Sequence, residues 1–556
     1  MGWRYAFRLS GTAFTELSLQ AIYAFRQGNI LPGGSPAELV PKARRRVLQS
    51  KALVAGLLAL LTFGASIALK EATFVAPRLL SYPLPAPIFD AGVLTALLSL
   101  DVAFLWWTGL QILPSLLSSG VLPVLEPLPL DDLTLQRVAA LVYFRLFDLP
   151  ILTILIVTPL AVGDAMGFWA SLAIIPGVFA AATFALALSL MTGRFFVRRV
   201  QGARGGGGST ILRWTYLVLW VVPAFGMFGF VTLAPAFFGA LAQLSQAAPS
   251  AEFNLLLLAF PFSLAALPSV VGGGASALPL GPAGIVVLIA AALGYVALAA
   301  GSAAWVGAAV RRVGLAPTGL ATPAPALRFG LTVIGPIRSV LVKDLRIASR
   351  TPGYAFLILL PILDSLALGL LTYAPGSSTR GAESLALGAV TSSALLATFF
   401  GPAFFAIEVL AYSYGRTLPL SDRTLVLGKV ALVVGIYLVS AGVVLGLVSL
   451  RLSDPGLFVG FVLAEMPAVI AASLLELGLV LRRAARKGLP LVNLYAGTWT
   501  AILISIPGLM VVSLPLVLYT LAGSTSTELA LGLMALVSVT ELAACSPVLF
   551  SRGTTA

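Results

Sequence analysis

Eight ionisable side chains stand inside, or near the ends of, long apolar runs: Asp101, Arg145, Asp148, Asp364, Glu408, Glu465, Glu476 and Glu541. A charge in hydrocarbon is costly, so each is by default a candidate for transport, proton relay or structural pairing. Arg145 and Asp148 are three residues apart, and that spacing predicts a structural pair on one helix face. The others are expected to cap a helix, snorkel or line a cavity. The chemistry open to them is narrow. The chain has no histidine, hence neither the commonest general base nor the commonest metal ligand. Its one cysteine, Cys545, allows no internal disulfide and leaves the redox compartment undetermined. A zinc or haem site is not expected, and no residue is assigned a catalytic, cofactor-binding or metal-binding role.

The elements that position these residues are membrane spans. Hydrophobic residues make up 59% of the chain and charged residues 10%, against about 25% charged in an ordinary soluble domain. Apolar runs of about 18 residues or more recur, long enough to cross about 30 Å of hydrocarbon. The first begins only near Ala52, after a basic region, so no cleavable signal peptide is expected. Twelve spans are read. Six fall at Ala52–Leu69, Gly92–Val124, Val138–Val162, Phe168–Met191, Leu212–Phe238 and Pro282–Val310. Six more fall at Tyr354–Tyr373, Leu385–Tyr412, Leu427–Leu450, Leu457–Leu481, Leu491–Leu521 and Leu529–Phe550.

The loops between them alternate in charge. Twenty-nine of the 34 Lys and Arg residues lie on one set of loops, and only Lys70, Arg78, Arg380 and Arg451 on the other. The net charge of +13 therefore reads as the positive-inside asymmetry of a membrane protein rather than as a nucleic-acid surface. It places both termini in the cytoplasm of a cell membrane. Each half has an even number of spans, so the halves are expected to be parallel repeats about an axis along the membrane normal.

A repeated segment supports the duplication. Leu128 opens LPLDDLTL and Leu418 opens LPLSDRTL, an offset of 290 residues. Pro176 and Pro467, Arg198-Arg199 and Arg482-Arg483, Trp214 and Trp499, and Pro223 and Pro507 follow in the same order at similar offsets. Pro129 and Pro419 block helix continuation. Asp131 or Asp132, and Ser421 or Asp422, are N-cap candidates for the next helix. Each segment reads as a tight corner between the second and third spans, and a sharper reading makes it a cytoplasmic docking element. The candidate docking residues are Leu128, Pro129, Leu130, Asp131, Asp132 and Thr134, with Leu418, Pro419, Leu420, Ser421, Asp422, Arg423 and Thr424.

The expected fold is an all-α polytopic membrane protein of about twelve transmembrane helices, two parallel six-helix repeats with interfacial amphipathic helices. Residues 1–51 form a cytoplasmic N-terminal region in which Trp3–Arg26 suits an interfacial helix. Residues 52–310 form the first repeat and 353–556 the second, joined by a cytoplasmic linker, 311–352, whose Ile337–Arg350 suits another interfacial helix. The first repeat has a long extracellular segment, 239–281, whose apolar part Phe253–Phe262 reads as a re-entrant or interfacial helix. Gly205–Gly208 reads as a flexible linker and lacks the Lys-Ser/Thr ending of a phosphate-binding loop.

The second half reads KDLRIASRTPGYAFLILLP from Lys343, then Glu408, then GRTLPLSDRTLVLGK from Gly415. In this it resembles the permease subunits of type-2 ATP-binding-cassette exporters, two six-span units fused in one chain. The resemblance covers nearly the whole chain and is clearest from Lys343 to Lys429. The first half departs from it: Ser118 stands at the offset of Glu408, and the N-terminal region is longer. The resemblance implies two cytoplasmic ATPase subunits docking on the inner loops and driving the halves between inward- and outward-open states. ATP and Mg would belong to those partners. This chain has no GxxxxGK[S/T], since Gly428-Lys429 is followed by Val430. No cofactor is expected in it; the partners are the ATPases and membrane lipid, not nucleic acid. Two alternatives stand beside this reading. A proton-coupled secondary transporter would use a buried acidic relay. A membrane enzyme on lipid-linked substrates would need a polar cluster at one interface, which the sequence lacks. The cargo is not legible; few intramembrane charges suit an amphipathic or lipid-like one.

Overall fold

A computed structural model describes residues 3–24, 36–70, 85–118, 130–196, 237–243, 255–273, 278, 280–314, 335–348, 352–372, 379–406, 422–449, 455–487, 498–522 and 526–547. These segments are helical with short turns, and no strand occurs among the described residues. The chain is an all-α polytopic membrane protein. Nine of the described helices are long and apolar enough to cross a membrane, and Leu357–Leu370 and Leu385–Phe399 are shorter apolar stretches at two further expected spans. The remaining expected span, Leu212–Phe238, lies almost wholly outside the described residues, as does Gly205–Gly208.

The chain divides into two compact units, most of the first lying before Pro323 and most of the second after it, with Ile22–Gly34 and Arg204–Val221 grouped with the second. The first contains α1 (Trp3–Ala24), α2 (Pro36–Lys70), α3 (Ala86–Ser118), α4 (Asp132–Phe144), α5 (Asp148–Met166), α6 (Phe168–Phe196), α7 (Phe262–Gly273) and α8 (Pro282–Gly314). The second contains α9 (Pro336–Ala348), α10 (Pro352–Leu371), α11 (Thr379–Phe399), α12 (Asp422–Val448), α13 (Pro455–Lys487), α14 (Thr498–Ala522) and α15 (Thr527–Cys545). Helices α2, α8, α9, α10 and α13 all begin on proline, whose missing N–H is harmless in a first turn and whose fixed φ suits the helix.

In the first unit α2 packs on α5, α3 on α6, α4 on α8, and α6 on both α5 and α8. In the second α10 packs on α11 and α12, α12 on α13, and α13 on α14 and α15. Gly167, at φ +93°, turns the chain sharply between α5 and α6. Four buried hydroxyls are satisfied within their own helices: Thr62, Thr108, Ser189 and Ser473 each donate to the carbonyl four residues back. That local bond removes the penalty of an unpaired donor in an apolar medium. Polar bonds also cross between helices, among them those from Trp106 Nε1 to Thr192 Oγ1 at 3.0 Å and from Tyr143 Oη to the Leu186 carbonyl at 3.0 Å.

Two expected spans are interrupted. Val138–Val162 is broken at 145–147, where Leu146 and Phe147 donate three residues back, to the Tyr143 and Phe144 carbonyls. Pro150 has no N–H to offer the Leu146 carbonyl, so a continuous α-helix there would lose a bond and meet the proline ring. Leu385–Tyr412 is also broken: α11 stops at Phe399, the chain turns through Gly401-Pro402, and a four-residue helix follows at Ala403–Ala406. In the segment expected to be re-entrant or interfacial, the described part leads into α7, packed against α3 and α6 with Leu264, Ala265 and Ala266 fully buried. Its 12 residues reach about 18 Å at 1.5 Å each, too short to cross the hydrocarbon.

Small residues set how closely the helices approach. A Cβ at Gly109 would lie 2.6 Å from Ser189 Cβ and 3.2 Å from Phe147 Cζ, so α3 and α6 meet there through a missing side chain. Gly56 has nothing within 4 Å of its Cβ position. Gly109→Val is expected to lower stability in detergent by about 1–3 kcal/mol through overpacking. Gly56→Ala is expected to be neutral or to stabilise by up to about 1 kcal/mol. Thermal unfolding of the two variants in the same detergent checks both; a Gly109→Val protein as stable as the parent would show that this contact does not set the α3–α6 spacing.

Candidate functional site

The first repeated segment is described from Leu130. Asp131, not Asp132, caps α4: its backbone is extended (φ −65°, ψ 149°), Oδ2 accepts from the Thr134 N–H at 3.2 Å and Oδ1 from the Thr134 hydroxyl at 2.6 Å. The Thr134 hydroxyl bond holds the Asp131 carboxyl below the ordinary aspartate range. Leu130 is half-buried, and Asp132 is exposed in the first turn, where the helix dipole favours an acid. Leu128 and Pro129 lie outside the described residues, as do Leu418, Pro419, Leu420 and Ser421. Asp422 opens α12, Arg423 is exposed and Thr424 is half-buried.

At the far end of α4, Arg145 and Asp148 do not pair with one another as expected. The break at 145–147 takes them off a common helix face, and each binds a different helix. Arg145 Nε donates to Ser10 Oγ at 3.1 Å and Nη2 to the Phe7 carbonyl at 3.0 Å, with the guanidinium over the Phe7 ring at 4.3 Å. Gly11 lies beside the guanidinium; a Cβ there would sit at an ordinary contact distance of 3.5 Å from Nη2. Asp148 accepts from Lys51 Nζ at 2.7 Å. The same ammonium donates to the Arg145 carbonyl and lies 4.7 Å from the Phe14 ring centroid. Helix α1 is thus held on the helix break through its buried stripe Ala6, Ser10 and Ala13.

The second unit fastens its own short helix differently. Val340, Asp344 and Ala348 form the buried stripe of α9, four residues apart. Asp344 accepts from Lys429 Nζ at 2.7 Å, and both side chains are fully buried. The preceding residue, Gly428, sits under Val340; a Cβ there would fall 2.8 Å from Val340 Cβ. The Gly-Lys pair that fails as a phosphate loop is therefore a docking notch and its ionic lock. Lys429, counted among the loop cations by sequence, lies inside the fold.

The remaining carboxyls do not converge. Asp101 of α3 is fully buried, with neither oxygen hydrogen-bonded. Asp364 of α10 accepts from the Ser392 hydroxyl of α11. Glu465 of α13 is met by Tyr437 Oη of α12 at 3.0 Å, which also lies 3.2 Å from the Val462 carbonyl. One phenolic proton serves only one of those two acceptors at a time. Glu476 of α13 is fully buried with neither oxygen bonded, and its carboxyl fills space left by Gly508 of α14 and by Gly401, where a Cβ would lie 2.7 Å from Oε2. Glu541 of α15 is half-buried, and Glu408 lies outside the described residues. Lys51, Ser10, Asp344 and the buried state of Lys429 were not legible as site features. The available signal was a basic residue one to two turns into an apolar helix, facing an acid in an amphipathic one.

Asp344→Ala leaves the Lys429 ammonium without its carboxylate in a dry site. The loss is expected to be about 3–5 kcal/mol, whereas Asp344→Leu with Lys429→Met is expected to recover most of it. A thermal-unfolding double-mutant cycle in detergent measures this; equal losses for the single and double variants would show that the pair is not coupled.

No curated protein and no solved structure matches the chain. A family described as membrane proteins of twelve transmembrane spans matches residues 72–545, from α3 through the end of α15. That range takes in the fastened break at 145–147, the buried Lys429, both repeated segments and nearly every expected span, and the chain belongs to this family of twelve-span membrane proteins.

Proposed function

We propose that the chain is the transmembrane permease of an ATP-binding-cassette exporter in a cell membrane, with both termini and both LPL segments on the cytoplasmic side. It is an internally duplicated protein, and ATP hydrolysis belongs to two separate cytoplasmic ATPase subunits that bind Mg and nucleotide. One observation carries this reading above the rest. In each unit, a helix with one buried stripe is fastened by a cation on, or just past the end of, the helix leaving the repeated segment: Arg145 holds α1 and Lys429 holds α9. Such a fastening makes loop, short helix and span move as one body, which a docked motor needs to bias a two-state equilibrium. The order of helix pairing supports the duplication: α2 on α5 and α6 on α8 correspond to α10 on α12 and α13 on α15.

A second reading, a proton-coupled secondary transporter, is favoured by the buried carboxyls of Asp101, Glu465 and Glu476. Glu476→Gln and Glu465→Gln separate the two. They are expected to leave ATP-driven export intact and to abolish transport on a pH gradient if the second reading is right.

The chain purified from its own membranes is expected to bring down an ATPase carrying the nucleotide-binding motif it lacks. Asp132→Lys with Asp422→Lys is expected to lower that recovery by about tenfold, the size of a lost charge pair at a rim. If the chain alone moves cargo into vesicles on a pH gradient without nucleotide, the exporter reading fails.

A further inference from the structure

On the first unit, α4, α6 and α8 enclose a groove of about 470 Å³. Phe144, Phe179, Leu186 and Val306 wall it, and Ala140 and Gly307 leave the space. Its deeper polar atoms already have acceptors: Tyr143 Oη donates to the Leu186 carbonyl and Thr183 Oγ1 to the Phe179 carbonyl. The groove body therefore asks for an apolar occupant. Its rim is open where Leu133, Phe144 and Phe179 are exposed, and a span at this depth meets lipid there. Polar character is confined to one end, at Gln136 and Arg137 in the first two turns of α4. Arg311 and Arg312 continue α8 one turn past Gly307, which itself lies against Gln136 and Ala140. By the charge asymmetry of the loops, that end of α8 and the start of α4 both face the cytoplasm. By sequence that end carries three basic residues, Arg137, Arg311 and Arg312, against the two acids Asp131 and Asp132.

We propose that this groove is a binding site for a phospholipid with an anionic headgroup, one acyl chain lying against Phe144, Phe179 and Val306 and the phosphate meeting Arg137. The occupant is a resident lipid of the cytoplasmic leaflet, and the site does not depend on any ATPase docking.

The test uses the full-length chain, stripped of lipid in detergent and then given phosphatidylglycerol or phosphatidylcholine of the same acyl chains, with native mass spectrometry counting retained lipid. The parent is expected to retain phosphatidylglycerol about tenfold better than phosphatidylcholine through a charge-assisted contact, and inorganic phosphate is not expected to displace it. Gly307→Leu adds its first carbon at an ordinary 3.8 Å from Ala140 Cβ and fills the groove beyond. It is expected to lower retention of both lipids by about tenfold or more. Arg137→Gln leaves the apolar walls untouched and is expected to remove the headgroup preference while phosphatidylcholine retention stays as in the parent. A parent without headgroup preference overturns the proposal, as does a folded, monodisperse Gly307→Leu protein that retains lipid as the parent does. Displacement by inorganic phosphate would also overturn it, since the site would then be an anion site without a lipid tail.

Discussion

The structure depends on where its buried cations find anions or carbonyls. Inside an apolar bundle the hydrophobic effect gives helices no reason to choose one neighbour over another, since lipid tails are as apolar as leucine. Direction must come from polar contacts and from close packing at small residues. Lys429 can lie fully buried only with Asp344 beside it, so α9 has one place to sit. Half-buried Arg145 at the helix break is met by the Phe7 carbonyl and the Ser10 hydroxyl, which draw α1 to it. Gly428 then lets α9 approach closely enough for its bond to form.

The fold was legible in the sequence because apolar length is a direct readout of a bilayer's thickness. Helix starts were partly legible too, since Pro282 and Pro455 stand at the first positions of α8 and α13. The two breaks were harder. Val138–Val162 has the hydropathy of one span, and only Pro150, acting on the carbonyl of Leu146 four residues earlier, gives the interruption away. The repeated segment was legible as a corner, and Asp131 caps it as its residue type suggests. The fastenings were not legible, because the two units place their cations at different positions. The residues at the repeat offset from Arg145 and Asp148 are Gly435 and Leu438, so a search for matched charges misses Lys429.

The carboxyls divide by what surrounds them rather than by their distance along the chain. Asp148 and Asp344 sit with ammonium groups and act as fasteners. Glu465 and Asp364 face hydroxyls on neighbouring helices. Glu476 and Asp101 have no donor on either oxygen, yet Glu476 occupies volume that Gly401 and Gly508 leave open. A search by residue type alone puts all of these in one class, whereas their environments separate structural fasteners from groups the packing leaves available.

The different registers of the two fastenings also have a mechanical meaning. Arg145 stands 13 residues beyond the start of α4 and Lys429 seven beyond the start of α12, about 20 Å and about 10 Å along the respective axes. Under the proposed docking of a motor on the repeated segments, each helix would be a lever with its attachment point at a different distance from the driven end. The same small tilt applied at the two ends would displace α1 about twice as far as α9, so equal inputs would give unequal strokes.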